Sequence, residues 1–186
     1  MAVDKKTFLK KVTILCDTNE KENKHIKKVF DELGVRYEDK SLDFGDYSFI
    51  IDDRNFSLNC VIERKANVNE LYGNLTQERG RIEREFEFAS AISNEFTLLI
   101  ETVGNIDELR AYEVPDWEMK QFGRIKKDIG ELCYFSLQSW QSGNKYKFNT
   151  VFVKNKNETA SKILERFYYY WRNYKLLSAN RKLKRR

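Results

Sequence analysis

The chain has 186 residues, of which 41% are hydrophobic and 34% are charged, a composition typical of one globular domain with its own core. It has no apolar run long enough to cross a membrane and no apolar leader at its N-terminus, so we expect neither a membrane anchor nor a secretory signal. With one histidine in the chain, we expect no zinc site built from histidine and cysteine. The odd number of cysteines favours free thiols in a reducing, cytoplasmic compartment.

The positive charge is concentrated at the C-terminus. The whole chain carries +5 and its last twelve residues carry +6, which leaves −1 for the first 174 residues. We therefore divide the chain into a domain over residues 1–174 and a basic tail over residues 175–186. Such a tail either improves solubility or attracts the phosphates of a nucleic acid. Its basic residues are Lys175, Arg181, Lys182, Lys184, Arg185 and Arg186.

Hydrophobic periodicity predicts an α/β fold, in which a central mixed β-sheet is flanked by helices. The predicted elements in chain order are a strand at 12–16, a helix at 22–33, a strand at 35–42, a hairpin over 46–65, a helix at 79–93, a strand at 96–100, mostly helix over 104–147, a strand at 148–153 and a helix from 160 onward. Gly34 is placed to cap the first of these helices.

The predicted hairpin brings three charged residues to one face. Asp46 opens one apolar segment, Glu63 and Lys65 close the next, and a polar break separates the two. If the turn is centred between Arg54 and Asn55, Asp46 lies directly opposite Glu63, with Cβ atoms about 4.5–5.5 Å apart. Lys65 lies two residues beyond Glu63 and therefore shares its face.

Two facing carboxylates repel each other, and a divalent cation relieves that repulsion. Oxygen ligands suit Mg²⁺, or Mn²⁺ in its place, and a nearby lysine can orient or deprotonate an attacking water. This set of groups is suited to metal-assisted hydrolysis of a phosphodiester. The competing interpretation is that acid-x-lysine triplets are common on solvated strands. The apolar residues that precede Glu63 favour a functional role, because burying unpaired charge is costly.

The same residues resemble the signature of the XPF-type structure-specific endonuclease domain. That pattern runs GD, a variable gap, ERK, three residues and D. Gly45 and Asp46 match its first part, and residues 63–65, which read ERK, match its second. The resemblance implies a restriction-endonuclease-like fold and a Mg²⁺-dependent DNA endonuclease.

Further segments extend the resemblance over residues 12–101. Asp17, which ends the first strand, and Glu20 correspond to the family's D-x-R-E element, and residues 79–86 resemble the basic-acidic helix of its compact, single-domain branch. The chain departs from the pattern at Asn19, where the family has arginine, and at Asn69, where it has aspartate. It also lacks the paired Gly-x-Gly hairpins of a helix-hairpin-helix module, so a preference for branched DNA is less strongly indicated than nuclease chemistry.

The resemblance assigns roles residue by residue. Asp46 and Glu63 are the expected metal ligands, Asp17 is an additional acid, and Lys65 positions the nucleophilic water. Residues expected to support these groups are Arg64, Asn69 and Glu20. Arg64 can contribute its carbonyl oxygen to the metal, or its guanidinium to a phosphate or to the structure. Candidates for binding DNA phosphates are Arg79, Arg81 and Arg84, together with Arg181, Lys182, Lys184, Arg185 and Arg186 of the tail. The three helix arginines are equally suited to pairing with Glu83, Glu85 and Glu87.

The sequence thus predicts a nuclease that acts in DNA repair or recombination, near the nucleoid, at branched or single-strand/double-strand junction DNA. We expect DNA as a partner, a homodimer and no nucleotide cofactor. An aromatic run at residues 167–171 is the chain's own indication of a dimer interface, with base stacking as an alternative use. Two other functions remain open. One is a catalytically silent subunit that partners an active nuclease, and the other is a nucleic-acid-binding module that works through its basic tail.

Overall fold

The predicted strands and helices occur in the expected order, with two further helices among them, in the computed structural model, which describes residues 4–122 and 126–183. The strands are β1 (Thr13–Cys16), β2 (Arg36–Asp39), β3 (Tyr47–Ile51), β4 (Arg54–Asn55), β5 (Cys60–Lys65), β6 (Glu95–Glu101) and β7 (Asn149–Val153). The helices are α1 (Lys5–Lys11), α2 (Lys24–Leu33), α3 (Val68–Thr76), α4 (Arg79–Ile92), α5 (Ile106–Arg110), α6 (Asp116–Phe122), α7 (Ile129–Gln141) and α8 (Thr159–Leu183). Within the described residues, no helix has the length and apolarity that crossing a membrane requires.

The sheet is mixed, as predicted. Its strand order is β2-β1-β3-β5-β6-β7, and β4 pairs with β3. Strand β1 runs parallel to β2 and antiparallel to β3, and β6 runs parallel to β7. The chain divides into two compact units. The first unit comprises residues 1–61 and 157–186, and the second unit comprises residues 62–156.

An aromatic cluster around Phe49 forms the core of the first unit. The ring of Phe49 lies 4.7 Å from that of Phe56 and 4.9 Å from that of Phe167 on α8. Tyr170 and Tyr168, from the aromatic run, pack edge-on against Phe56 and Phe8 at 5.8 and 5.7 Å. Most of the run is therefore used within the fold, and Tyr169 is its exposed member. This removes the support that the run gave to a dimer interface.

The predicted hairpin turn is wrong by two residues. Asp52 and Asp53 both have positive φ, of 50° and 59°, so the turn is centred between them. A two-residue hairpin turn of this kind needs positive φ at both central positions, and aspartate tolerates that conformation. Arg54 and Asn55, the predicted turn, form strand β4 and pair with Ile51 and Ile50.

Helix α8 continues well past the predicted end of the domain. It runs without a break from Thr159 to Leu183, so residues 175–183 of the predicted tail are helical. Lys175 lies 3.1 Å from the carboxylate of Asp52, and Tyr174 accepts a hydrogen bond from Arg54. The start of the basic segment is thereby attached to the β3–β4 hairpin. Lys184, Arg185 and Arg186 lie outside the described residues.

Phe86 of α4 occupies the centre of the second unit's core. Its ring lies 4.9 Å from those of Trp140 and Phe148 and 5.0 Å from that of Phe96. The helical interpretation of residues 104–147 is confirmed by α5, α6 and α7. Helix α7 approaches α5 so closely that a Cβ atom at Gly130 would lie 2.1 Å from the carbonyl oxygen of Leu109, which explains glycine there.

Two further elements were not predicted. Helix α1 precedes the first strand, and α3 begins directly after the ERK residues. Asn67 caps α3, because its side chain accepts a hydrogen bond from the Glu70 N–H. The three cysteines are buried and free, as expected.

Candidate active site

Gly45 and Asp46, the first part of the motif, lie directly before strand β3. Gly45 has a φ of +69°, which glycine adopts without strain, and Asp46 follows it directly before β3. The Asp17 N–H donates a 2.7 Å hydrogen bond to the Asp46 carbonyl oxygen. The two aspartates predicted as acids of the site are therefore neighbours in the first unit.

The carboxylate of Asp17 is held by two backbone amides. One oxygen accepts from the Asn19 N–H at 2.9 Å and the other from the Leu42 N–H at 2.8 Å, and the residue is 7% exposed. Asp17 therefore orders the loop after β1 and the loop before Gly45. Glu20 serves this loop as well, because its carboxylate accepts from the Glu22 N–H at 3.1 Å.

The ERK residues end strand β5, and every residue of this strand is buried. The Lys65 ammonium lies 2.5 Å from the Glu63 carboxylate, and the two side chains are 5% and 6% exposed. The second acid near Lys65 is Glu70, at 3.8 Å, which also accepts the Ala66 N–H at 2.8 Å. A buried charge is costly unless it is paired, and the Glu63 carboxylate provides that pairing for the Lys65 ammonium.

Arg64, between these two residues, makes a different contact. Its guanidinium donates to both oxygens of Glu101 on β6, at 3.0 and 3.2 Å. Both side chains are buried. Of the roles considered for Arg64, the structure supports the structural one. Glu101 is an acid directly at the end of an apolar strand, which is the signal that points to it in the sequence.

Asn69 lies in the first turn of α3. Its Nδ2 donates a 2.7 Å hydrogen bond to the Glu118 carboxylate of α6 and lies 3.5 Å from the Tyr112 hydroxyl. Sequence reasoning missed Glu118, because no local pattern connects a residue of α6 with one of α3.

The helix arginines differ in their contacts. Arg79 pairs with Glu83 at 3.1 Å, and Arg81 pairs with Glu78 at 2.6 Å and Glu85 at 3.4 Å. Exposed pairs of this kind are worth about 0.3–0.5 kcal/mol, so phosphate can replace the carboxylate. Arg84 is exposed and makes no ion pair within the described residues.

Glu78 and Arg81 also lie within electrostatic reach of the ERK residues. The hydrogen bond from Arg81 lowers the pKa of Glu78, and the charge of Lys65 acts in the same direction. The hydrogen bond to Glu78 raises the pKa of Arg81, and the charges of Glu85 and Glu63 add to this. The charges at the start of α4 therefore interact with those of Glu63 and Lys65.

The predicted metal ligands Asp46, Glu63 and Asp17 are all carboxylates, which are ligands of the type that Mg²⁺ prefers. Within residues 4–122 and 126–183, no group of three or more His, Cys, Asp or Glu is placed to hold a metal ion. Mg²⁺ is usually bound through one or two carboxylates, with water and phosphate oxygens completing its coordination. Two predicted acids, Asp17 and Asp46, belong to the first unit, and Glu63 belongs to the second.

A match to a known protein family identifies the class of protein. Residues 16–165 match the model of the ERCC4 domain, so the chain belongs to this family and is an XPF-type nuclease domain. Nucleases of the family typically depend on divalent metals. Among curated protein sequences, no significant match was found.

Two solved structures support the fold. XPF from Aeropyrum pernix is 17% identical with a TM-score of 0.55, over 83% of this chain and 59% of that chain. The same protein in complex with DNA is 16% identical with a TM-score of 0.58, over 87% of this chain and 66% of that chain. This chain therefore spans about 59% to 66% of the length of those structures. The likeness confirms the predicted mixed sheet flanked by helices.

Proposed function

We propose that this chain is a Mg²⁺-dependent DNA endonuclease that hydrolyses phosphodiester bonds at branched or single-strand/double-strand junction DNA. The observation that carries the proposal is the buried pair of Glu63 and Lys65, 2.5 Å apart, within the ERK motif of a nuclease family. A paired lysine at the end of a buried strand is costly to maintain for structure alone, because an apolar pair of similar volume is often as stable.

Lys65 has the role of positioning the attacking water. The Glu63 carboxylate holds its ammonium in place, and Glu70 on α3 adds a second, weaker attraction at 3.8 Å. An ammonium is a donor only, and the contact with Glu63 fixes the position from which it can act on water or a phosphate oxygen. Because the Lys65 and Glu63 side chains are 5% and 6% exposed, salt screens the interaction between them much less than that of a surface pair.

We assign metal binding to Asp46 and Glu63, with Asp17 as an additional acid, and the assignment rests on the family motif. A bound Mg²⁺ or Mn²⁺ would supply Lewis-acid stabilisation of the phosphate's developing charge. Asp17 has both carboxylate oxygens engaged by backbone amides, so its main task is to fix the loop that carries Asp46.

DNA binding is supported by the solved XPF–DNA complex that this chain resembles in fold. We assign phosphate contacts first to Arg84, which is exposed and unpaired among the described residues. Arg81 and Arg79 come next, because their own side chains are exposed and a phosphate can replace the carboxylates with which they pair. The basic end of the chain adds the remaining cations. Homodimerisation remains part of the proposal, since dimers are plausible for XPF-type domains.

The decisive experiment is a cleavage panel. The protein is incubated with linear, flapped and branched DNAs in Mg²⁺ or in EDTA, and the cuts are mapped. We expect metal-dependent cuts near the junction and little cutting of plain duplex. Equal rates on flapped and fully paired DNA would remove the junction preference and leave a general endonuclease. Light scattering at micromolar concentration tests the dimer, and a monomer mass would remove that part of the proposal.

The second candidate is a catalytically silent DNA-binding subunit. Asn69, which replaces an acid of the family pattern, is the observation that favours it. The retained acids and Lys65 argue against it, because they have no evident use in a silent copy. DNA binding without cleavage of any substrate in the panel, by purified protein in either metal, would establish this alternative.

A further inference from the structure

Position 69 carries an uncharged asparagine where the family pattern has aspartate, and Glu70 is the acidic residue in the first turn of α3. Asn69 is the second residue of this helix. A carboxylate is stabilising near a helix N-terminus, where backbone N–H groups and the helix dipole favour negative charge. Position 69 directly precedes Glu70, whose carboxylate lies 3.8 Å from the Lys65 ammonium.

The structure shows a carboxylate at this point, supplied by another helix. The Glu118 Oε1 atom of α6 accepts the Asn69 Nδ2 hydrogen bond at 2.7 Å, a length typical of charge-assisted bonds. We propose that Glu118 is a positioning residue of the cleavage reaction, which carries the negative charge that the family has at position 69. This inference rests on the proposed nuclease function.

The hydrogen bond explains why residue 69 is an asparagine. An aspartate there would place an oxygen where Nδ2 now lies, 2.7 Å from a glutamate oxygen. Two carboxylates at that distance cannot both remain ionised without a large penalty. Asparagine removes the repulsion and donates a hydrogen bond, so one negative charge is retained and its carrier changes from α3 to α6.

The bond also fixes the orientation of the Asn69 amide. Since Nδ2 faces Glu118, the amide oxygen lies on the opposite side of the side chain. Tyr112, whose hydroxyl is 3.5 Å from Nδ2, lies on the same side as Glu118. Glu118 therefore supplies the charge and fixes the orientation of the Asn69 amide.

The test is a charge swap between the two positions. Glu118→Gln keeps a hydrogen bond, because the glutamine oxygen accepts from Asn69, but removes the charge. The double variant Asn69→Asp/Glu118→Gln restores the charge on the other partner and keeps a hydrogen bond, donated by the glutamine. Both variants keep the hydrogen bond and only the double variant keeps the charge, so the difference between their cleavage rates measures the effect of the charge. The matched control is Glu113→Gln, which removes a charge from an exposed residue that pairs with Lys127.

We expect Glu118→Gln to lower kcat about ten- to a hundredfold, the usual cost of losing a group that supports a reactive residue, with the KM for DNA nearly unchanged. The swap should recover most of the loss, and Glu113→Gln should cut like the wild type. Thermal melting should show that Asn69→Asp alone is less stable than the swap. A Glu118→Gln variant with wild-type kcat, or a swap no faster than it, would overturn the inference alone. Absence of cleavage by the wild type would instead reject the proposed function, and this inference with it.

Discussion

The guanidinium of Arg64 binds the carboxylate of Glu101 through two hydrogen bonds, and their side chains are 3% and 2% exposed. The arginine of the ERK motif thus points to a partner on β6. Its neighbours Glu63 and Lys65 contact each other instead. The motif therefore combines a structural contact of Arg64 with the pair that we propose takes part in cleavage, and the two can be tested separately.

Breaking the structural pair should destabilise the fold. Glu101→Ala removes the carboxylate that neutralises the buried Arg64 guanidinium, so the free energy of unfolding should fall by about 3–5 kcal/mol. Urea denaturation measures this loss. In the control variant Arg64→Met/Glu101→Leu both charges are replaced by apolar groups, and stability should recover most of the loss. Equal stability of Glu101→Ala and the wild type would contradict a structural role.

Lys65→Ala should abolish cleavage and leave DNA binding nearly unchanged. Removing a group that assists proton transfer costs about 10²–10⁴-fold in rate, whereas one lysine adds little to a footprint of many phosphates. Cleavage on a flapped DNA and binding by fluorescence anisotropy are measured on the same preparation. A melting curve confirms that the unpaired Glu63 has not unfolded the protein. Wild-type cutting would exclude Lys65 from the mechanism.

Asp46→Asn and Glu63→Gln should each weaken Mg²⁺ binding and remove metal-dependent activity, because a neutral amide is a poor substitute for a charged ligand. Isothermal calorimetry measures the affinity directly. Asp43→Asn, a change at an exposed carboxylate three residues before Asp46, is the control and should bind the metal normally. If both site variants kept the wild-type affinity, the ligand assignment would be wrong.

Neutralising the basic end should weaken DNA binding and flatten its salt dependence. Five glutamines replace Arg181, Lys182, Lys184, Arg185 and Arg186, while Lys175 is kept because it pairs with Asp52. Five cations account for a log–log salt slope of at most about 4.5. We expect a smaller change than this limit, since few tails engage every charge. An unchanged slope would assign the segment to solubility.

The hairpin turn should contribute a pH-dependent term to stability. The hydrogen bond from Lys175, with a further one from Lys11, lowers the pKa of Asp52 below its usual 3.8. The stabilisation is therefore present above pH 3.8 and is lost as the pH falls through the lower, folded value. Asp52→Asn keeps the positive φ but loses both ion pairs, so it should be less stable than the wild type at neutral pH.

The difference between Asp52→Asn and the wild type should disappear in acid, where the wild-type carboxyl is also neutral. Urea denaturation at several pH values tests this. Asp53→Asn, at the other positive-φ position of the turn, is the control. A destabilisation of Asp52→Asn that persisted unchanged at the lowest pH would show that strain in the turn, and not the ion pairs, is responsible.

Local sequence determined the elements and the motif. Apolar spacing predicted α2 and its cap at Gly34, which has the expected positive φ of 64°, and it predicted strands β1 and β6. The ERK triplet at the end of an apolar segment predicted a buried, charged strand end, and Glu63 and Lys65 form one. These features depend on neighbours in the chain, which is why the sequence reveals them.

Only the tertiary structure decided which distant groups meet. The turn lies at Asp52 and Asp53, and not at the predicted position, because both aspartates accept positive φ. Lys11 of α1 and Lys175 of α8 neutralise the Asp52 carboxylate. Arg64 could have served phosphate or structure, and Glu101, 37 residues away, made it structural. From the sequence, Asn69 is a family position that has lost its charge. The structure shows that it donates a hydrogen bond to Glu118 of α6. Pairing between remote residues depends on how helices pack on the sheet, and no local pattern records that.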